Sequence, residues 1–215
     1  MRDEVVGFLS NARGSAVAES GLLDRARLFF TEQFDALIET ARLHPLGFYY
    51  ASERLDDRRE FRFHLWPHGW SAPVQEEGRE LHDHLYHLNS FVIAGALRHE
   101  TFDVVRDENG SFEICQVEYS RAGSGVRSTN VHGAVEIVTD SAHAAGCSYR
   151  LKHGVYHRVT PLTLPSATLV LTDSAGGPRY AHVLVRRGVP AAQEFARSAL
   201  GSNDRERVRL ALAAL

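Results

Sequence analysis

Cysteine is scarce in this chain: Cys115 and Cys147 are the whole complement in 215 residues. So few exclude a disulfide framework, and a reducing cytoplasm is the expected location. An excess of one charge is also lacking. A formal net charge of −3 offers no basic surface for nucleic acid or an acidic membrane. No apolar run approaches the ~18 residues of a membrane span, and the opening stretch MRDEVVGFLSNARG has no signal-peptide layout. Internal repeats, low-complexity tracts and a linker are missing too, so one domain over residues 1–215 is expected. The rest of the composition, 44% hydrophobic and 24% charged, is that of an ordinary globular protein. Against it stand twelve histidines. Imidazole is the commonest transition-metal ligand and titrates near neutral pH.

The periodicity changes twice along the chain. In SGLLDRARLFFTEQFDALIETARLHP, Leu23, Ala26, Phe30, Phe34, Leu37, Ile38 and Ala41 recur at helical steps, with Ser20 as a cap and Pro45 as a stop. RDEVVGFLSNA before it reads as a shorter helix, so residues 1–45 form a helical segment. Residues 46–188 are different. GFYYAS, EFRFHLW, LNSFVIAGALRHETFDVVR, SFEICQVEY, VEIVT, SYRL, YHRVTP, ATLVLTD and YAHVLVRR are short, β-branched or aromatic, and divided by turn residues. Asn109-Gly110 closes a hairpin in DENG. GSGVRSTN, with Gly123 and Gly125, reads as a loop; no helix start follows it, so it is no phosphate cradle. Residues 189–215 turn helical again, with Pro190 at a first turn, Gly201 as a stop and Asn203 with Glu206 as a capping box. Val208, Ala211, Leu212 and Leu215 then line one face, to pack on the β core or on a second subunit, which leaves a homodimer open. Many strands without helices between them predict a mainly β sandwich or small barrel.

Within GRELHDHLYHLNSFVIAG, alternate strand positions would aim His82 and His84 at one side and His87 at the other. Two imidazoles can share an ion if a third ligand comes from elsewhere. His157, after a Gly-containing turn in GCSYRLKHGVYHRVTP, is the best source. Asp83 should point away from the ion. Tyr149 and Tyr86 could each offer a phenol to a bound oxygen species, and Cys115 reads as a small buried hydrophobe. His87 reads as a rim residue. His64, His68, His99, His132, His153 and His182 read as surface or structural, with His64 or His182 able to line an interior.

These two stretches resemble the paired motifs of the cupin superfamily, G-x5-H-x-H-x(3,4)-E-x6-G and G-x5-P-x-G-x2-H-x3-N. His82, His84 and Gly95 match the first; Gly146, Gly154 and His157 match the second. Glu76 stands where the first motif opens with glycine, Leu88 or Asn89 where it has glutamate, Lys152 for proline and Pro161 for asparagine. The resemblance implies a double-stranded β-helix (jelly-roll) barrel with flanking N- and C-terminal α-helices, and a metal on His82, His84 and His157 without a carboxylate. Within cupins that set is most similar to the thiol dioxygenases, the cysteine dioxygenase-like group. It implies Fe(II), dioxygen and a small polar substrate, with Arg62 as counterpart of the arginine that binds the substrate carboxylate. Asn89 stands where that group has a cysteine, so the resemblance does not carry cysteine as the substrate. The same ligands would serve a non-oxidative isomerase, lyase or decarboxylase on Zn, Ni or Mn. A binding or regulatory module without chemistry is the third reading.

Overall fold

Alternating burial along one strand sets the architecture. In Arg59–Trp66, Phe61, Phe63 and Leu65 are fully buried against helical Phe29 and Phe30, while Arg62, His64 and Trp66 turn to the opposite face and line a cavity. A strand does this because its side chains alternate, so one face can seal a core while the other builds a site. The structure, a computed structural model, describes residues 1–11, 16–71, 79–119, 123–174, 180–191, 193–196 and 199–215.

The helices are α1 (Arg2–Asn11), α2 (Ser20–Ala36) and α3 (Ser202–Leu212). The strands are β1 (Ala16–Val17), β2 (Arg42–Leu43), β3 (Tyr49–Arg54), β4 (Arg59–Trp66), β5 (His87–Ala94), β6 (Ala96–Arg106), β7 (Phe112–Tyr119), β8 (Gly123–Ala144), β9 (Cys147–Leu151), β10 (Tyr156–Pro161), β11 (Ser166–Asp173), β12 (Ala181–Arg186) and β13 (Gln193–Ala196). They form two antiparallel sheets, one in the order β1-β9-β5-β11-β4-β3-β2, the other β10-β6-β8-β7-β12 with β13 on β8. The mainly β expectation holds, and of the sandwich and the barrel it is two separate sheets, not closed into one, that the described residues form.

All three helices cover one face of the first sheet. Val5 and Leu9 of α1, Phe29, Phe30 and Phe34 of α2, and Val208, Ala211 and Leu212 of α3 share a core with Phe61, Phe63, Phe91, Ile93 and Leu169. Each buried side chain of this size contributes roughly 1.5–3 kcal/mol. The C-terminal stripe thus packs on its own chain, and Tyr49 of β3 ties α3 down by donating a 2.7 Å hydrogen bond to Asp204. The other face of that sheet meets the second sheet: Trp66, Leu88, Val92, Tyr149 and Val170 pack with Leu97 of β6.

Gly95 breaks one long apolar stretch into β5 and β6. Its φ is +67°, and a Cβ there would lie 2.2 Å from Ser166 Oγ and 2.6 Å from the Pro165 carbonyl oxygen. The DENG hairpin forms between β6 and β7, with the Gly110 N–H donating to Asp107 O over 2.9 Å.

Several expectations fail for identifiable reasons. α2 stops at Ala36, well short of Pro45, because Arg42 and Leu43 pair with Tyr50 and Tyr49 as a strand, and the Arg42 guanidinium takes the Thr40 and Ala41 carbonyls. Glu19 rather than Ser20 holds the cap position, and α3 is preceded by Gly201 without a side-chain cap, so the Asn203–Glu206 box does not form. The predicted helix after Pro190 contains strand β13, whose Gln193–Ala196 pair with Val126–Gly123. GSGVRSTN is not a loop but the first third of β8, held by β13 on one side and β7 on the other. Pairing partners on both sides outweigh the weak strand propensity of Gly, Ser and Asn. Glu76 lies outside the described residues.

Candidate metal centre

His82 and His84 do not sit in a regular strand. Their segment crosses from β10 to β12 through isolated bridges, His82 opposite His157 and His82 opposite Val183. The His82 N–H donates to His157 O over 3.2 Å, and the His157 N–H returns to His82 O over 2.9 Å. Asp83 N–H bonds His182 O, and Gly154 N–H bonds His84 O, each over 3.0 Å. Extended backbone keeps the alternation, so both imidazoles still face one way and Asp83 the other.

One ring nitrogen from each of His82, His84 and His157 lies within 4.8 Å of the other two. Nε2 of His84 and Nε2 of His157 are 2.9 Å apart. Two lone pairs cannot face each other at that distance unaided; either one nitrogen carries a proton or both bind a cation. Nitrogens bound tetrahedrally to one ion at ordinary imidazole distances stand roughly 3.3 Å apart, so this pair lies near the spacing a shared ion requires, and the three together could hold one. His82 Nδ1 lies 3.0 Å from Glu80 O and His157 Nδ1 3.3 Å from His99 Nε2. The Glu80 carbonyl can only accept, so it fixes the His82 tautomer that leaves Nε2 free, and the His99 ring allows the same tautomer at His157. Burial lowers the pKa of all three, well below the ordinary value for His84 and His157, each helped by the neighbouring imidazoles. They are neutral donors at neutral pH. Asp83 accepts from the backbone N–H of His182 and lies 3.0 Å from its ring Nδ1, which raises the His182 pKa.

The three face a cavity of about 580 Å³. Arg62 of β4 lines it, donating to the Tyr86 hydroxyl, with its guanidinium 4.3 Å from the Tyr86 ring centre and a 3.2 Å ion pair to Glu60. Tyr86 in turn stacks on His84, centroids 4.8 Å apart. Tyr149 lines the cavity behind His157: it stacks on His99 at 4.3 Å and on His143 at 4.7 Å, and burial pushes its phenol up to about 12. Tyr86 is therefore the phenol beside Arg62 and His84. Leu88, which with Asn89 was one of two positions set against the motif's glutamate, lines the cavity as an apolar wall.

His87 pairs with His153 at 4.6 Å, away from the cluster, as a rim residue would. Cys115 is buried and its thiol is pushed up to about 11 by burial, a packing residue. His99, expected as a surface or structural residue, is buried at 5% exposure directly behind a cluster histidine, and His143, which the sequence reading did not single out, is 6% exposed. The signal was available: His99 shares strand parity with buried Leu97.

No family model matches the chain, and no curated protein matches it. Among solved structures, a Shewanella oneidensis protein determined as a structural-genomics target is 12% identical, covering 84% of this chain and 94% of that one at a TM-score of 0.32. A likeness at that score carries no argument. Fold and site together define a mainly β, two-sheet protein with a three-histidine cluster open to an internal cavity. No helix among the described residues is long and apolar enough to cross a membrane.

Proposed function

We propose that the chain is a cupin-type, jelly-roll enzyme that holds one divalent metal on His82, His84 and His157 and works as a non-haem Fe(II) dioxygenase on a small polar acid, amine or thiol. The observation that carries this is the convergence of three neutral imidazole nitrogens, with no carboxylate among them, on one point of the cavity wall. Fe(II) bound there would supply open coordination positions for a substrate and dioxygen together. The protein's own groups do the rest. Arg62 offers its guanidinium to a substrate anion, with Tyr86 holding it in place by hydrogen bond and ring contact. Leu88, Val159 and Val170 keep the cavity wall apolar and exclude water. Because three imidazoles leave the dication's charge uncancelled, an anionic substrate is favoured.

The test is electron paramagnetic resonance of anaerobic, Fe(II)-loaded protein exposed to nitric oxide. A high-spin iron–nitrosyl signal, perturbed by a candidate substrate and lost in His157→Ala, is expected. His157→Ala binding Fe(II) as tightly as the parent would refute the site. Turnover retained under nitrogen on Zn, Ni or Mn would refute the oxidative chemistry and point to an isomerase, lyase or decarboxylase on the same ligands.

A further inference from the structure

Both tryptophans of the chain, Trp66 and Trp70, line the cavity. Trp66 belongs to a continuous aromatic wall. The Phe48 ring lies 4.9 Å from Trp66 and 4.8 Å from His64, and His44 stacks on the far side of Phe48 at 4.3 Å with the planes 11° apart. His64 belongs to this wall as a neutral ring, since burial and the nearby Arg62 charge pull its pKa down to about 3. The wall starts at Arg62 and runs along alternate residues of one strand. Arg62 to Trp66 therefore spans about 13 Å, with a ring every ~7 Å.

That layout is larger than a small aliphatic acid needs, and its rings are tilted to one another, by 38° for Phe48 and Trp66 and by 43° for Phe48 and His64. A molecule the size of one small amino acid, held at Arg62 and the histidine cluster, would leave most of the 580 Å³ to water beside the aromatic wall. Sites of this volume usually bury much larger ligands. The Trp70 indole N–H is buried without a hydrogen-bond partner among the described residues, so a ligand acceptor at that end would satisfy it. Stacked and tilted ring contacts are what an aromatic wall gives to a planar guest.

We propose that the cavity takes an anionic substrate with an aromatic body, its acid group on Arg62 and its ring on the wall of Phe48, His64 and Trp66. This rests on the metal-site reading above and narrows its substrate.

The test uses the Zn(II)-loaded full chain, with phenylpyruvate and pyruvate as probes that share a head group and differ by the ring. Binding is read by calorimetry and by tryptophan quenching, and zinc content is measured in the same samples. Phenylpyruvate should bind at least tenfold more tightly than pyruvate. Phe48→Leu and, as a second wall variant, His64→Leu should each shrink that gap several-fold while leaving pyruvate and zinc binding unchanged. Arg62→Gln should weaken both acids. Equal affinities, or a gap that neither wall variant reduces, in protein that holds zinc would overturn the aromatic substrate and leave the metal site standing. Protein that does not hold zinc would overturn the metal-site reading and this inference with it.

Discussion

Replacing His99 by Phe separates the metal-bound protein from the metal-free one. If His157 binds metal through Nε2, its proton must sit on Nδ1, whose neighbour is His99 Nε2 at 3.3 Å. Phenylalanine keeps a flat ring to stack on Tyr149 but removes the acceptor. A buried donor left unpaired costs about 1–3 kcal/mol. At about 1.4 kcal/mol per factor of ten, metal affinity should fall roughly 5- to 150-fold, which overlaps the ~10–100-fold loss usual for partners of ligating histidines. The metal-free protein escapes most of that penalty, because His157 can move its proton to Nε2 and donate to His84 Nε2, 2.9 Å away. The assay is a zinc competition titration against a chelating dye, with urea unfolding of the metal-free form as control. His99→Gln, which restores an acceptor, should recover part of the affinity. An affinity of His99→Phe within twofold of the parent would refute the argument. So would an equal loss of stability with and without metal.

Acid should destabilise the metal-free protein from about pH 6.5 downwards. Burial holds His99 down to about 4, so between those values the unfolded chain binds the proton that the folded one refuses, and stability falls by about 1.4 kcal/mol per pH unit for that group. His82, His84 and His157 are shifted the same way and steepen the fall; urea midpoints that stay flat from pH 7 to 5 would contradict this. Gly95→Ala should cost about 2–5 kcal/mol in urea unfolding, from left-handed backbone plus overpacking against Pro165 and Ser166, and a midpoint unchanged from the parent would show that the β5–β6 corner relaxes freely. Tyr49→Phe should cost about 1–3 kcal/mol by deleting the bond to Asp204, with faster amide exchange confined to α3; uniform exchange would mean that apolar packing alone seats the helix.

How much could be read from the sequence depended on where the physical information lay. The alternation of Phe61, Phe63 and Leu65 with Arg62, His64 and Trp66 is written in the chain and made EFRFHLW legible as a strand, but which face the helices cover and which meets the cavity depends on packing between distant segments. The H-x-H pair was legible for the same reason, since any extended backbone aims alternate residues alike. The first third of β8 was not legible. Gly123, Gly125, Ser128 and Asn130 look like loop, and only their neighbours β7 and β13 make them strand. β13 was hidden by the alanines around it, which read as helix. Tyr149 and Tyr86 could not be ranked from sequence, because which phenol stands beside Arg62 depends on contacts between residues far apart in the chain.

The mutual backbone bonds of His82 and His157 carry a consequence for how the site can fail. The short stretch bearing His82 and His84 is held to its neighbours by isolated bridges, and it meets His157 only after a chain separation of 73 residues, counted from His84, has been closed. A slip of one residue would swing both imidazoles outward and put Asp83 in their place. An ion bound as proposed, on three nitrogens, would reject that arrangement, and metal concentration would then become a proofreading signal for strand register. Starved of metal, the protein would lose its ligands together, as a seam coming unstitched.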